Sequence, residues 1–301
     1  MTGWGGTMVG RPRSLRRLAP GRRLKHLRNT LLRALSLPVA VLCGLGAAWA
    51  EPPARVVSMN LCTDQLAMLL AAPGQLVSVS HLATEPQSSP MVDQAAAYPP
   101  NRGGAEQIFL MKPDLVLAGS YTSVASVDLL RGLGVPVLQV PPISSLDEVP
   151  AQILLVGQAL GREAEAQAMV AAFQDGLATL AVDAPPADAA LYYPNGYTTG
   201  AGTLADDVLA HTGFHNISSD AGLAGGGILP LERLVMAAPQ VIVTSEPYPG
   251  ASRAEDILRH PALAEVRSRG LTATSDADWI CGTPYLLRAV ARMKDLREAL
   301  E

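Results

Sequence analysis

Aromatic side chains are scarce in this 301-residue chain: three Phe, seven Tyr and three Trp, 4% in all. Its core must therefore be filled by Ala, Leu and Val, and any aromatics that gather at one place stand out. Catalytic signatures are missing as well. No G-x-S-x-G, S-x-x-K or H-E-x-x-H occurs, so neither an activated serine nor a zinc-peptidase helix is spelled out. The glycine-rich stretches Asn101-Arg102-Gly103-Gly104 and Gly225-Gly226-Gly227 do not lead into a helix opening with Lys-Ser/Thr, which excludes a phosphate loop. The three cysteines form no CxxC, so zinc-finger spacing is excluded too. The enzyme reading that survives is a thiol nucleophile at Cys62 with His81 as base, which requires the two to meet in space.

Acidic residues are absent from the first fifty positions, which hold nine of the 23 Lys and Arg. A basic segment, an uncharged apolar stretch over 34–50 and the small-x-small ending Ala48-Trp49-Ala50 together read as a secretory signal peptide over 1–50. The stretch falls short of the ~20 apolar residues needed to span a bilayer and carries Pro38, so no stable membrane anchor is expected. Cys43 would leave with the leader. The remainder then carries 14 − 27 = −13 charges, a poor match for nucleic acid, whose phosphates require clustered Lys and Arg. Cys62 and Cys281 would reside in an oxidising compartment, the periplasm, where a disulfide is allowed.

Past the leader, short apolar runs alternate with amphipathic segments. Strands are expected at 55–59, 75–80, 114–118, 136–140, 189–193 and 240–245. Helices are expected at 64–72, 105–111, 122–133, 203–212, 231–238, 253–258 and 284–300. This alternation predicts an α/β fold with mainly parallel sheets. Between the halves, 146–182 recurs apolar at helical spacing, and Gly161 divides it, leaving a helix of about 30 Å. The expected division is a lobe over 51–160, a connecting helix over 161–182 and a second lobe over 183–301. The halves echo each other, since Ala105-Glu106 to Leu117 parallels Leu231-Glu232 to Val243: a helix bearing Glu, a Pro, then a buried strand.

At these residues the chain resembles the class III periplasmic binding proteins of ABC importers, which serve vitamin B12, ferric siderophores and haem. The resemblance covers nearly all of 54–300. It rests on Arg55-Val56-Val57-Ser58-Met59, the run from Lys112 to Gly119, the long central helix, the run from Thr198 to Leu209, and Ala277-Asp278-Trp279 before the last helix. It implies two lobes with a ligand cleft between them, a monomer that captures a small-molecule metal chelate, and delivery to a permease dimer. It implies no intrinsic cofactor and no enzymatic step. Glu106 and Glu232, one per lobe, match the positions where the family meets permease arginines, a pairing suited to charge-assisted hydrogen bonds.

The resemblance also places loops at the cleft. Cys62, Arg102, Tyr121, Tyr193, Tyr197, Trp279 and Cys281 fall on them and are the expected ligand-binding residues. The aromatics suit a flat ligand, and Arg102 an anionic group. For Cys62 and Cys281 three readings stand side by side: a disulfide across the cleft, a soft thiolate site approaching the ligand's metal, or two unrelated thiols. His81, His211 and His215 keep open a receptor of the same fold for a free transition-metal ion.

Overall fold

The structure, a computed structural model, describes residues 51–247, 250 and 252–301; the leader reading and Cys43 lie outside them. The first strand, β1 (Val56–Ser58), is wholly buried and leads into α1 (Leu61–Leu70). This helix starts three residues before the expected position. Its cap explains why: Asn60 Oδ1 accepts from the amides of Cys62 at 3.0 Å and Thr63 at 3.4 Å. Cys62, expected in a loop, therefore stands in the first turn of a helix.

The first lobe continues through β2 (Leu76–Ser80), α2 (Val92–Ala95), β3 (Pro100–Asn101), α3 (Ala105–Leu110), β4 (Leu115–Gly119), α4 (Val124–Gly132) and β5 (Val137–Val140). Its strands form one parallel sheet in the order β3-β2-β1-β4-β5. A 3-10 turn, Leu146–Glu148, then opens α5 (Val149–Leu160). Gly161, at φ +67°, ends α5 where a Cβ would press on Pro52 at 2.7 Å. The chain runs back as α6 (Glu163–Leu180), the connecting helix expected over 161–182. A Cβ on Gly157 would overlap Ala166, so the small residues let α5 and α6 cross closely.

The second lobe comprises β6 (Ala187–Leu191), β7 (Tyr197–Thr199), α7 (Leu204–His211), β8 (Phe214–Asn216), α8 (Ile217–Asp220), β9 (Gly226–Ile228), α9 (Leu231–Ala237), β10 (Val241–Ser245), α10 (Pro261–Arg269), β11 (Leu271–Ser275) and α11 (Leu286–Glu298). A second parallel sheet runs β11-β10-β6-β8, and β7 pairs with β9 as an antiparallel ribbon. The helix expected at 253–258 is a 3-10 run, Arg253–Arg259.

Strand periodicity sorts the core. Val56 and Leu117 face one layer, and Val57, Val116 and Ala118 face the other, with Ile108 and Leu130. In the second lobe Ala189, Leu191 and Val243 alternate in the same way with Ala190, Tyr192 and Ile242. One apolar cluster is common to both sheets. Val149, Ile153 and Val156 of α5, Phe173 of α6, and Leu286 and Val290 of α11 belong to it. The connecting helix is thus braced by α5 and α11 rather than standing alone.

Beneath the carboxyl ends of β1 and β2 lies a buried polar knot. Asp64, wholly buried, accepts from Ser80 N at 3.0 Å and Ser80 Oγ at 2.5 Å. Burial pushes its carboxyl up to about 6, outweighing those hydrogen bonds. The folded state therefore binds this proton more tightly than the unfolded chain. The group's stabilising contribution is full below about pH 4 and is lost as pH rises through about 6. Asp64→Asn, which keeps an acceptor for Ser80 N, should raise stability at pH 7.5 by up to about 3 kcal/mol and change it little at pH 4. Urea unfolding at the two pH values checks this; a variant less stable at pH 7.5 would contradict it.

Candidate functional site

Loops diverge where strand order reverses in an open parallel sheet, leaving a crevice at the carboxyl ends. In the first sheet this point lies between β1 and β4, and in the second between β6 and β10. A cleft runs over both. Its first chamber, about 370 Å³, has Asn60 and Cys62 after β1, Tyr121 after β4, Pro141 and Ile143 after β5, and Gln152 of α5 in its walls. The second, about 320 Å³, has Tyr193 after β6, Ser245 and Glu246 at the end of β10, Asp276 after β11, and Gln87 from the first lobe. Thr199, Ala205, Trp279 and Ile280 line both, so the chambers are two parts of one cleft with a common wall.

That wall is held at both ends. At its start, Arg292 bonds Asp276 at 2.7 Å and the buried Asp278 at 3.0 Å, fixing the 3-10 turn Ala277–Trp279 against α11. At its end, Cys281 is joined by a disulfide to Cys62, 219 residues away. Thr283 Oγ1 donates to Gln65 Oε1 at 3.0 Å one turn further along α1, and a Cβ on Gly282 would overlap Ile143. The amide of Leu146 also reaches Asp207 Oδ2 at 2.7 Å. The lobes are therefore stitched together along the floor of the cleft.

The disulfide closes the three-way question about the cysteines. Bonded sulfurs offer no thiolate, so neither the soft metal site at Cys62 and Cys281 nor the Cys62–His81 nucleophile exists in this state. Cys62 lines the first chamber, with Cys281 buried behind it. Trp279 and Tyr193 are walls, and Tyr121 stands at the rim, 88% exposed. Burial raises the Tyr193 phenol above its usual range, so it stays protonated.

Two expected ligand residues line neither chamber. Tyr197 sits against Tyr193, ring centroids 6.5 Å apart, and is turned outward while the next residue of β7, Thr198, is buried. Arg102 follows β3, the edge strand, two places from the switch point, and is exposed, its amide bonded to Gln107. Sequence reasoning missed Thr199, Gln152, Ile143 and Glu246. Gln152 carried a signal, being a polar residue on the apolar face of α5; Ile143 and Glu246 are one residue among many in loops, and Thr199 ends the three-residue strand β7, too short to be read from periodicity.

Among the described residues no Lys, Arg or His lines either chamber; the charged residues there are Glu246 and Asp276. The three histidines are apart: His211 Nε2 bonds Leu177 O at 3.0 Å, His215 bonds Asp220 at 2.8 Å, and His81 follows β2. No three His, Cys, Asp or Glu among the described residues group to hold a metal ion. Glu106 and Glu232 are exposed in the first turns of α3 and α9, one per lobe, and outside the cleft.

Paired parallel βα lobes with a cleft over both switch points define a two-lobed solute-binding protein. The chain belongs to the periplasmic binding protein family, whose model matches residues 56–268. A cobalamin-binding protein of Halobacterium salinarum is 30% identical over 198 residues, 64% of this chain and 54% of that protein. The chain thus spans about half the length of this relative. An uncharacterized ABC transporter substrate-binding lipoprotein of Bacillus subtilis is 26% identical over 208 residues, 65% of each chain. In fold this chain is similar to the apo haem-binding protein RhuT of Roseiflexus (TM-score 0.67, 22% identity, 81% of this chain and 98% of that one). The vitamin B12-binding protein BtuF of Vibrio cholerae is also similar (TM-score 0.63, 21% identity, 82% and 98%).

Closing so long a loop constrains the unfolded chain, by about 5 kcal/mol on a chain-entropy estimate that sets the upper end. Reduction, or Cys62→Ser with Cys281→Ser, should lower the melting temperature by about 10 °C. Calorimetry with and without reductant measures the shift; an unchanged transition would show that the staple adds nothing beyond the shared core.

Proposed function

We propose that this protein is the extracytoplasmic substrate-binding component of an ABC importer and captures a metal chelate in the cleft between its lobes. The observation that carries the reading is the cleft itself: in a family of solute-binding proteins, the chain places Tyr193 and Tyr121 at the two switch points and Trp279 on the wall common to both chambers. Trp279 is the one Trp of residues 51–301. Flat aromatic walls suit a flat, bulky ligand, whose burial supplies most of the affinity. The names of the relatives, cobalamin-, B12- and haem-binding proteins, support a chelate of that kind. The resident chemistry is capture and release, and the metal arrives with the ligand.

Delivery needs a second surface. Glu106 and Glu232, exposed at helix N-termini on separate lobes, are proposed to meet basic residues of the permease dimer. Residues 1–50 are proposed to direct export, and the chain is proposed to act as a monomer in the periplasm.

Titration of the protein with cobalamin, cobinamide, haemin and ferric hydroxamates should quench Trp279 fluorescence with one-to-one stoichiometry and a Kd below about 10 µM, or −7 kcal/mol. Absence of binding to all of them would refute the chelate reading. Glu106→Ala with Glu232→Ala should leave that Kd within about twofold, the effect of a rim charge, while uptake in cells falls to background. Loss of ligand affinity in the double variant would place the two carboxylates at the wrong surface.

A further inference from the structure

The walls of the cleft contain buried hydrogen-bonding atoms that no protein group satisfies. Gln152, 6% exposed, donates Nε2 to the Pro141 carbonyl at 2.7 Å, which fixes its amide and leaves Oε1 buried without a partner. Thr199 Oγ1 and Trp279 Nε1 are buried and unpartnered as well. All three residues line the cleft, Thr199 and Trp279 on the wall common to both chambers. A buried polar atom without a partner costs about 1–3 kcal/mol, and most such atoms in folded proteins find one. Three on one cleft point to a ligand.

Their chemistry is specific. Gln152 Oε1 can only accept, Trp279 Nε1 can only donate, and Thr199 Oγ1 can do either. A carboxamide offers both a carbonyl and an N–H₂ and answers all three; a carboxylate cannot donate to Gln152. The charges agree. Among the described residues no Lys, Arg or His lines the chambers, whereas Glu246 does, and no ion pair among the described residues involves it. Asp276 is neutralised by Arg292. An anionic rim would be buried here without a counter-charge, at a cost of several kcal/mol.

We propose that the cleft selects an uncharged or cationic chelate with carboxamide groups at its rim, and that Gln152, Thr199 and Trp279 are the residues that read those amides. The inference rests on the chelate-capture reading and names the ligand chemistry within it. Small displacements of the wall side chains bring the three atoms to the rim, and the ring system lies against Tyr193 and Trp279. Two sources share this chemistry: corrinoids with amide side chains and cationic hydroxamate siderophores that contain amides.

The test compares ligands that differ at the rim alone. Calorimetric titration of the full chain with cobinamide, whose side chains are carboxamides, should give at least tenfold tighter binding than cobyrinic acid, the same macrocycle and metal with carboxylates. Trp279→Phe keeps an aromatic ring and Thr199→Val the shape; each should weaken cobinamide about tenfold, the worth of one hydrogen bond. Both atoms can donate to a carboxylate as well, so the preference for cobinamide over cobyrinic acid rests on Gln152, and Gln152→Met should narrow it about tenfold. A melting temperature within a few degrees of the parent shows that the variants fold. Binding of ferrioxamine but not cobinamide, with the same losses in both variants, supports amide reading and assigns the hydroxamate source. Equal or tighter binding of cobyrinic acid or haemin overturns the inference and leaves chelate capture standing. Binding of no probe overturns both.

Discussion

The bond between Cys62 and Cys281 is the constraint on which the site depends. It joins the first turn of α1 to the loop that enters α11, and so ties the beginning of one lobe to the end of the other. Trp279 and Ile280 immediately precede Cys281, and their place in both chambers follows from that attachment. The hydrogen bond from Thr283 to Gln65 and the packing of Gly282 on Ile143 extend the same seam. Arg292 fixes the other end of the loop through Asp276 and Asp278. The result is a wall that neither lobe could position alone.

A staple at the floor of a ligand cleft changes how such a receptor is expected to move. With an apolar cluster common to both sheets and a covalent tie beneath the chambers, large separation of the lobes would break packing as well as stretch the seam. Ligand entry then calls for small displacements of loops and rims, where Tyr121 is exposed and Glu246 lies at the end of β10. Preorganisation of this kind favours affinity, since little ordering remains to be done on binding. It also narrows what can enter, because walls that barely part must already match the ligand in shape and polarity.

The electrostatics of the cleft run with those of the chain. Residues 51–301 carry a large negative excess, and the chambers repeat it on a small scale, with carboxylates and no basic lining among the described residues. Buried orphan atoms at Gln152, Thr199 and Trp279 add direction to that charge preference. Recognition by neutral donors and acceptors is slower to be noticed than a cluster of arginines, yet it discriminates strongly, because a mismatched partner leaves a buried group unpaired.

Much of the architecture was legible in order along the chain. Periodicity located the longer strands and helices, Gly161 marked the break before α6, and the matched segments around Glu106 and Glu232 announced two related lobes. Local signals failed where elements are short or irregular: β3, β7, β8 and β9 span two or three residues each, and the run at 253–259 is a 3-10 helix. What the sequence determined by itself was therefore the alternating α/β plan and the loops that follow each strand, since both depend on neighbours within a few residues. Tertiary structure alone decided that Cys62 meets Cys281, that Trp279 faces both chambers, and that Arg102 and Tyr197 stand outside them. Those outcomes depend on strand order and on the side to which each residue of a strand points, and both are fixed by packing between segments far apart in the chain.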